Sequence, residues 1–128
     1  MTIYDYFSSL ERGLTHNIKI GDPQQPIISL ASDDYNGLIR CRLFFWDGSY
    51  LSLYEVVSTE QGYPEKIYYA YTYIRSGQRV FRYDNAPHHP QIHTFPHHKH
   101  VGPADTLMPS EEPTLAQVLA EIESFLNS

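Results

Sequence analysis

Between Arg82 and Val101 the chain carries six of its seven histidines, at positions 88, 89, 93, 97, 98 and 100, set among Pro87, Pro90 and Pro96. Imidazole changes charge near neutral pH, and its neutral form is the commonest metal ligand. Two chemistries fit such a pool. Phosphodiester cleavage without a metal needs a base for the attacking oxygen, an acid for the leaving oxygen and cations for the phosphoryl charge. His88, His89, His97, His98 and His100 supply candidates for the first two roles, and Arg82 and Lys99 for the third. Asp84 is placed to fix an imidazole tautomer, as carboxylates do. If Phe95 to Val101 is extended, His98 and His100 share one face while His97, Lys99 and Val101 share the other.

The second chemistry is metal binding. His88, His89 and His93, or His97, His98 and His100, can offer three imidazoles to a zinc-class ion. Neither spacing matches a short zinc motif, there is no cysteine nearby, and Asp84 is the sole local carboxylate. The reading therefore assigns no metal and no cofactor. Against both stands an ordered proline-rich loop in which the histidines serve only as hydrogen-bonding groups.

These residues must be held by a scaffold, and the length of 128 residues fits one domain, 1–128. A composition 41% hydrophobic and 14% aromatic supplies a packed core. Ile3, Phe7, Leu10 and Leu14 mark one face of a short helix, with Thr2 as its cap and Gly13 as its end. A turn at Asp22–Pro26 precedes a strand over 27–31. Asn36-Gly37 reads as a turn, and a strand over 38–46 alternates Ile39, Cys41, Leu43 and Phe45 with Arg40 and Arg42. Asp47-Gly48 makes a hairpin to a strand over 50–57. Further strands are expected over 67–74 and 78–84, joined at Ser76-Gly77. Thr114-Leu115-Ala116-Gln117 is a capping box that opens a terminal helix with Leu115, Val118, Leu119, Ile122 and Leu126 on one face. The prediction is α+β: an antiparallel meander of four to five strands, with an N-terminal and a C-terminal helix packed on it.

Nine basic against fifteen acidic residues exclude a uniform nucleic-acid coat, while Arg75 to Lys99 concentrates positive charge. No segment approaches the roughly 18 apolar residues of a membrane span. Met1 to Asp5 lacks the pattern of a signal peptide, and the lone Cys41 suits a reducing compartment, so a cytoplasmic protein is expected. Tyr83 and Asn85, with Tyr71 and Tyr73, are candidates for contacting a substrate, since aromatic side chains on sheets stack bases. Glu55 reads as an exposed strand residue and Cys41 as inert core.

The run Phe81-Arg82-Tyr83-Asp84-Asn85-Ala86-Pro87-His88-His89-Pro90, with Thr94-Phe95-Pro96-His97-His98-Lys99-His100-Val101, resembles the signature of the TumE family of bacterial toxins. The resemblance extends through the Asp-Gly turn, the Tyr69–Tyr73 strand and Pro109-Ser110-Glu111-Glu112-Pro113-Thr114 to nearly the whole chain. It implies a small cytoplasmic toxin encoded beside a DNA-binding antitoxin. Because many such toxins cut RNA, RNA is the substrate it suggests. Family members often carry histidine where this chain has Thr72. Oligomeric state is left open.

Overall fold

The computed structural model describes residues 1–15 and 27–126, and the turn expected at Asp22–Pro26 lies outside them. The elements are α1 (Ile3–Thr15), β1 (Ile28–Ala31), β2 (Asn36–Phe44), β3 (Tyr50–Ser58), β4 (Glu65–Arg75), β5 (Gln78–Asp84), β6 (His98–Val101), β7 (Thr106–Pro109) and α2 (Leu115–Leu126). The strands form one antiparallel sheet in sequence order, β1 through β7. The expected α+β meander with a helix at each end is present, but the sheet has seven strands rather than four to five. The two unforeseen strands, β6 and β7, are four residues each and lie among prolines and histidines that hide any alternation.

Both helices begin with reciprocal caps. Thr2 Oγ1 accepts from the Asp5 amide while Asp5 Oδ2 accepts from the Thr2 amide at 2.8 Å. Thr114 and Gln117 exchange the same pair of bonds at α2. Each satisfies backbone donors that a helix start leaves orphaned. Gly13 does not end α1, which runs on to Thr15.

Both helices cover the same face of the sheet. Ile3 and Phe7 of α1 lie over β2, and Phe125 of α2 sits 5.7 Å from Tyr73 on β4. Between them lies the core of Ile39, Leu43, Leu51, Leu53, Tyr73, Phe81, Val118 and Ile122. Asn36-Gly37 is not a turn but the start of β2. A Cβ on Gly37 would stand 2.6 Å from the Leu30 carbonyl oxygen and 2.9 Å from the Phe7 ring, so glycine there permits close approach of α1. The Asp47-Gly48 hairpin forms as expected, with Gly48 at φ 85°.

Glu55 is not exposed. It points into the core at 1% accessibility and accepts hydrogen bonds from the hydroxyls of Tyr6 on α1 and Tyr71 on β4. Lys66 completes the network, donating to the Tyr71 hydroxyl at 2.8 Å and to the Pro113 carbonyl at 2.9 Å. A buried carboxylate is tolerated when donors satisfy it, and here those donors tie α1 and the α2 approach to the sheet. Cys41 is buried and free, as expected.

Candidate functional site on the open sheet face

No helix among the described residues packs on the other face of the sheet. Strand pairing sets its side chains in transverse rows. Arg40, Tyr54, Ala70, Asp84, His98 and Pro109 form one row from β2 to β7, and Arg42, Ser52, Thr72, Arg82, His100 and Leu107 form the next. At about 4.8 Å per strand, Arg40 and His98 are about 19 Å apart. The rows thus run from two exposed arginines to an imidazole–carboxylate cluster.

Asp84 anchors that cluster and is 3% accessible. Its Oδ2 accepts from Arg82 Nε at 2.9 Å, and its Oδ1 accepts from the Ala86 amide at 3.0 Å. His98 Nε2 lies 2.9 Å from the same Oδ1, and His100 Nε2 lies 3.8 Å from Oδ2. Burying a carboxylate requires such compensation. His98, 2% accessible, also places Nδ1 at 2.9 Å from the Pro96 carbonyl. A carbonyl only accepts, so Nδ1 carries hydrogen and the ring orientation is fixed. Arg82 reaches on to the Tyr68 hydroxyl at 3.4 Å, and Tyr68 meets Tyr54 edge-on at 5.6 Å.

The loop between β5 and β6 folds back over this end of the face. It brings His89 to 4.9 Å from His98 and 5.7 Å from His100, centre to centre. His89 and His100 are the partly exposed members of the trio, whereas His98 is enclosed. His100 Nδ1 lies 2.9 Å from Asp105 Oδ1 but out of line with it, and the atom is buried without a hydrogen bond. Burial holds the His100 imidazole below its ordinary pKa, against the raising pull of Asp105 and Asp84, while His98 and Arg79 add to the depression. Asp105 sits in the β6–β7 turn at φ 57°, a backbone conformation that aspartate tolerates better than most residues. Arg79 holds its carboxylate from the side.

The remaining candidates fall elsewhere. Lys99 and Tyr83 alternate onto the helix-covered face, where both bind Glu121 of α2, Lys99 at 2.7 Å. Burial disfavours the Lys99 charge, but the bonds to Glu121 and Tyr83 outweigh it and raise its pKa. His97 stacks on Tyr69 and places Nδ1 2.8 Å from that hydroxyl. Tyr71 and Tyr73 are fully buried, so the core encloses the rings expected to contact a substrate. Asn85 receives the Tyr69 amide at 3.0 Å and donates to the Ile67 carbonyl at 3.2 Å, extending the β4–β5 pairing with its side chain. His88 and His93 are exposed on the loop.

Arg40 and Arg42 were not singled out for the site, although their alternation with Ile39, Cys41 and Leu43 already put them on the face opposite the core. Asp105 and Arg79 carried no local signal, because β6–β7 pairing brings Asp105 to His100.

An antiparallel sheet covered by helices on one side, with a histidine–aspartate–arginine cluster on the other, makes this a small α+β protein with a candidate site on its open sheet face. Its family follows from direct comparison: the model described as Toxin TumE matches residues 24–126, and the chain belongs to that toxin family. A toxin of this kind implies an antitoxin that restrains it. No curated protein and no solved structure matches the chain. No helix among the described residues is long and apolar enough to cross a membrane.

Proposed function

We propose that this toxin is an endoribonuclease that lays single-stranded RNA across the open sheet face and cleaves it by metal-independent acid–base catalysis. The observation that carries the reading is the Asp84 cluster, in which one buried carboxylate holds Arg82 and His98 beside the accessible His89 and His100. In the proposed step one imidazole takes the 2′-hydroxyl proton as that oxygen bonds to phosphorus. A second imidazole, protonated, gives its proton to the departing 5′ oxygen. His89 and His100 are the pair for these roles. Arg82 stabilises charge on the phosphoryl oxygens, and Asp84 and His98 position the others.

The sheet supports the same reading upstream of the cluster. Exposed Arg40 and Arg42 offer charge to the phosphates, and the guanidinium of Arg42 lies 5.3 Å from the Tyr50 ring centre. Tyr54 and Tyr68 offer partly exposed rings for stacking bases. The proposal places the toxin in the cytoplasm with a DNA-binding antitoxin as its cognate partner. His97 and Lys99, held on the covered side, have no part in the proton transfer.

Expression in a growing bacterial host, with RNA sequencing, tests the proposal. Wild type should arrest growth and generate new RNA 5′ ends, whereas His100→Ala and Arg82→Ala, produced to the same level, should do neither. Growth arrest with unchanged RNA ends would replace this reading with a non-enzymatic one, in which the histidine loop docks on a ribosomal or antitoxin surface.

A further inference from the structure

We propose that His89, His98 and His100 form a binding site for one divalent transition-metal ion of the zinc class. Neither local triplet of histidines in the sequence contains this set. It is assembled by β6, which turns alternate residues His98 and His100 to one face, and by the loop that returns His89 above them. One ring nitrogen from each residue lies within 4.8 Å of the others. The ring centres are 4.9, 5.0 and 5.7 Å apart, and the planes cross at 81°, 83° and 68°, so the rings surround a common space instead of stacking.

The surroundings match what such ligands need. Metal-bound imidazoles commonly donate their other N–H to a backbone carbonyl or carboxylate. His98 already does so through Nδ1 to Pro96, so Nε2, which faces Asp84 Oδ1 at 2.9 Å, is the atom that would exchange that contact for the metal. The Asp84 carboxylate lies beside the Nε2 atoms of both His98 and His100 and supplies the negative charge a dication requires. His100 Nδ1 faces the Asp105 carboxylate at 2.9 Å without an aligned hydrogen bond, so a carboxylate also stands behind this ring. Three imidazoles select zinc, copper, nickel or cobalt over magnesium or calcium. Zn–N bonds of about 2.0–2.1 Å would draw the nitrogens to about 3.3 Å from one another. His89, half-buried on the loop, is the ligand that moves.

The site stands on this geometry alone. Its consequence rests on the RNA reading: with their lone pairs in metal bonds, His89 and His100 cannot pass protons, so the ion silences cleavage.

The test is calorimetric titration of untagged, chelator-treated full-length protein with Zn²⁺, repeated with Co²⁺ to follow its ligand-field absorption. One ion should bind per chain. His89→Ala and His100→Ala should each weaken binding by more than the roughly 10–100-fold that loss of an outer-shell partner costs, while exposed-loop controls His88→Ala and His93→Ala should not. His98 is enclosed, so it is left intact, and circular dichroism verifies that each variant is folded. Unchanged affinity in both trio variants, or equal loss in the controls, would overturn the site. One-to-one binding in a protein that cleaves no RNA under any condition would uphold the site and overturn the RNA reading instead.

Discussion

Asp84 is the residue on which the site depends, because four groups converge on its two oxygens. Asp84→Asn keeps the size but removes the charge that Arg82 and His98 face. Loss of a charged partner from a buried network costs about 1–3 kcal/mol, so urea unfolding of the variant should show a stability lower by that amount. His98 and Arg82 would also lose their fixed positions. Cys41 is the opposite case. Burial, aided by the Glu55 charge, pushes its thiol up to about 12. Native protein at pH 8 should therefore resist iodoacetamide and react only when unfolded; rapid labelling of folded protein would show that Cys41 is not enclosed in the core.

At the scale of elements, Gly37 sets the contact between α1 and the sheet. Gly37→Val would press side-chain atoms into the Leu30 carbonyl and the Phe7 ring. Overpacking of this kind costs about 1–3 kcal/mol, and thermal unfolding should record a lower midpoint. The glycine-as-turn reading failed here because a glycine needed for close approach looks the same in sequence as one needed for positive φ. The long strands and both helices were legible because their apolar period and caps are local. Alternation also correctly put His98 and His100 on one face and Lys99 on the other. The trio with His89 was not legible, since it depends on how a proline-framed loop folds back. Asp105 joins His100 only through the β6–β7 hairpin. Glu55 was misread because a carboxylate in an inward strand position is identified only by donors from distant elements, Tyr6 and Tyr71.

The whole molecule is acidic, at −6 with neutral histidines, yet its open face presents Arg40, Arg42 and Arg82. RNA binding through that face should weaken with salt. Arg40→Gln with Arg42→Gln should reduce the slope of log affinity against log salt by about 1.4, two single-strand phosphate contacts. An unchanged slope would place the RNA elsewhere. The core network sets an alkaline limit. Burial, followed by the charge of Glu55, raises the Tyr6 and Tyr71 hydroxyls well above their ordinary value. The folded state keeps these protons where the unfolded chain releases them, so their contribution is complete below about pH 10 and falls as pH rises further. The part of the tyrosinate absorbance that Tyr6 and Tyr71 contribute, read as the amplitude lost in Tyr6→Phe and Tyr71→Phe variants, should consequently appear only together with unfolding.

The central claim is that the Asp84-centred imidazoles cleave RNA. Its most direct measurement is the single-turnover cleavage rate of a defined single-stranded RNA, in chelator, by purified wild type, His100→Ala and His88→Ala. Loss of a general acid or base lowers rates by about 10²–10⁴-fold. The account predicts such a fall for His100→Ala, with His88→Ala matching wild type. Equal rates in all three folded proteins, or no cleavage by wild type, would contradict it.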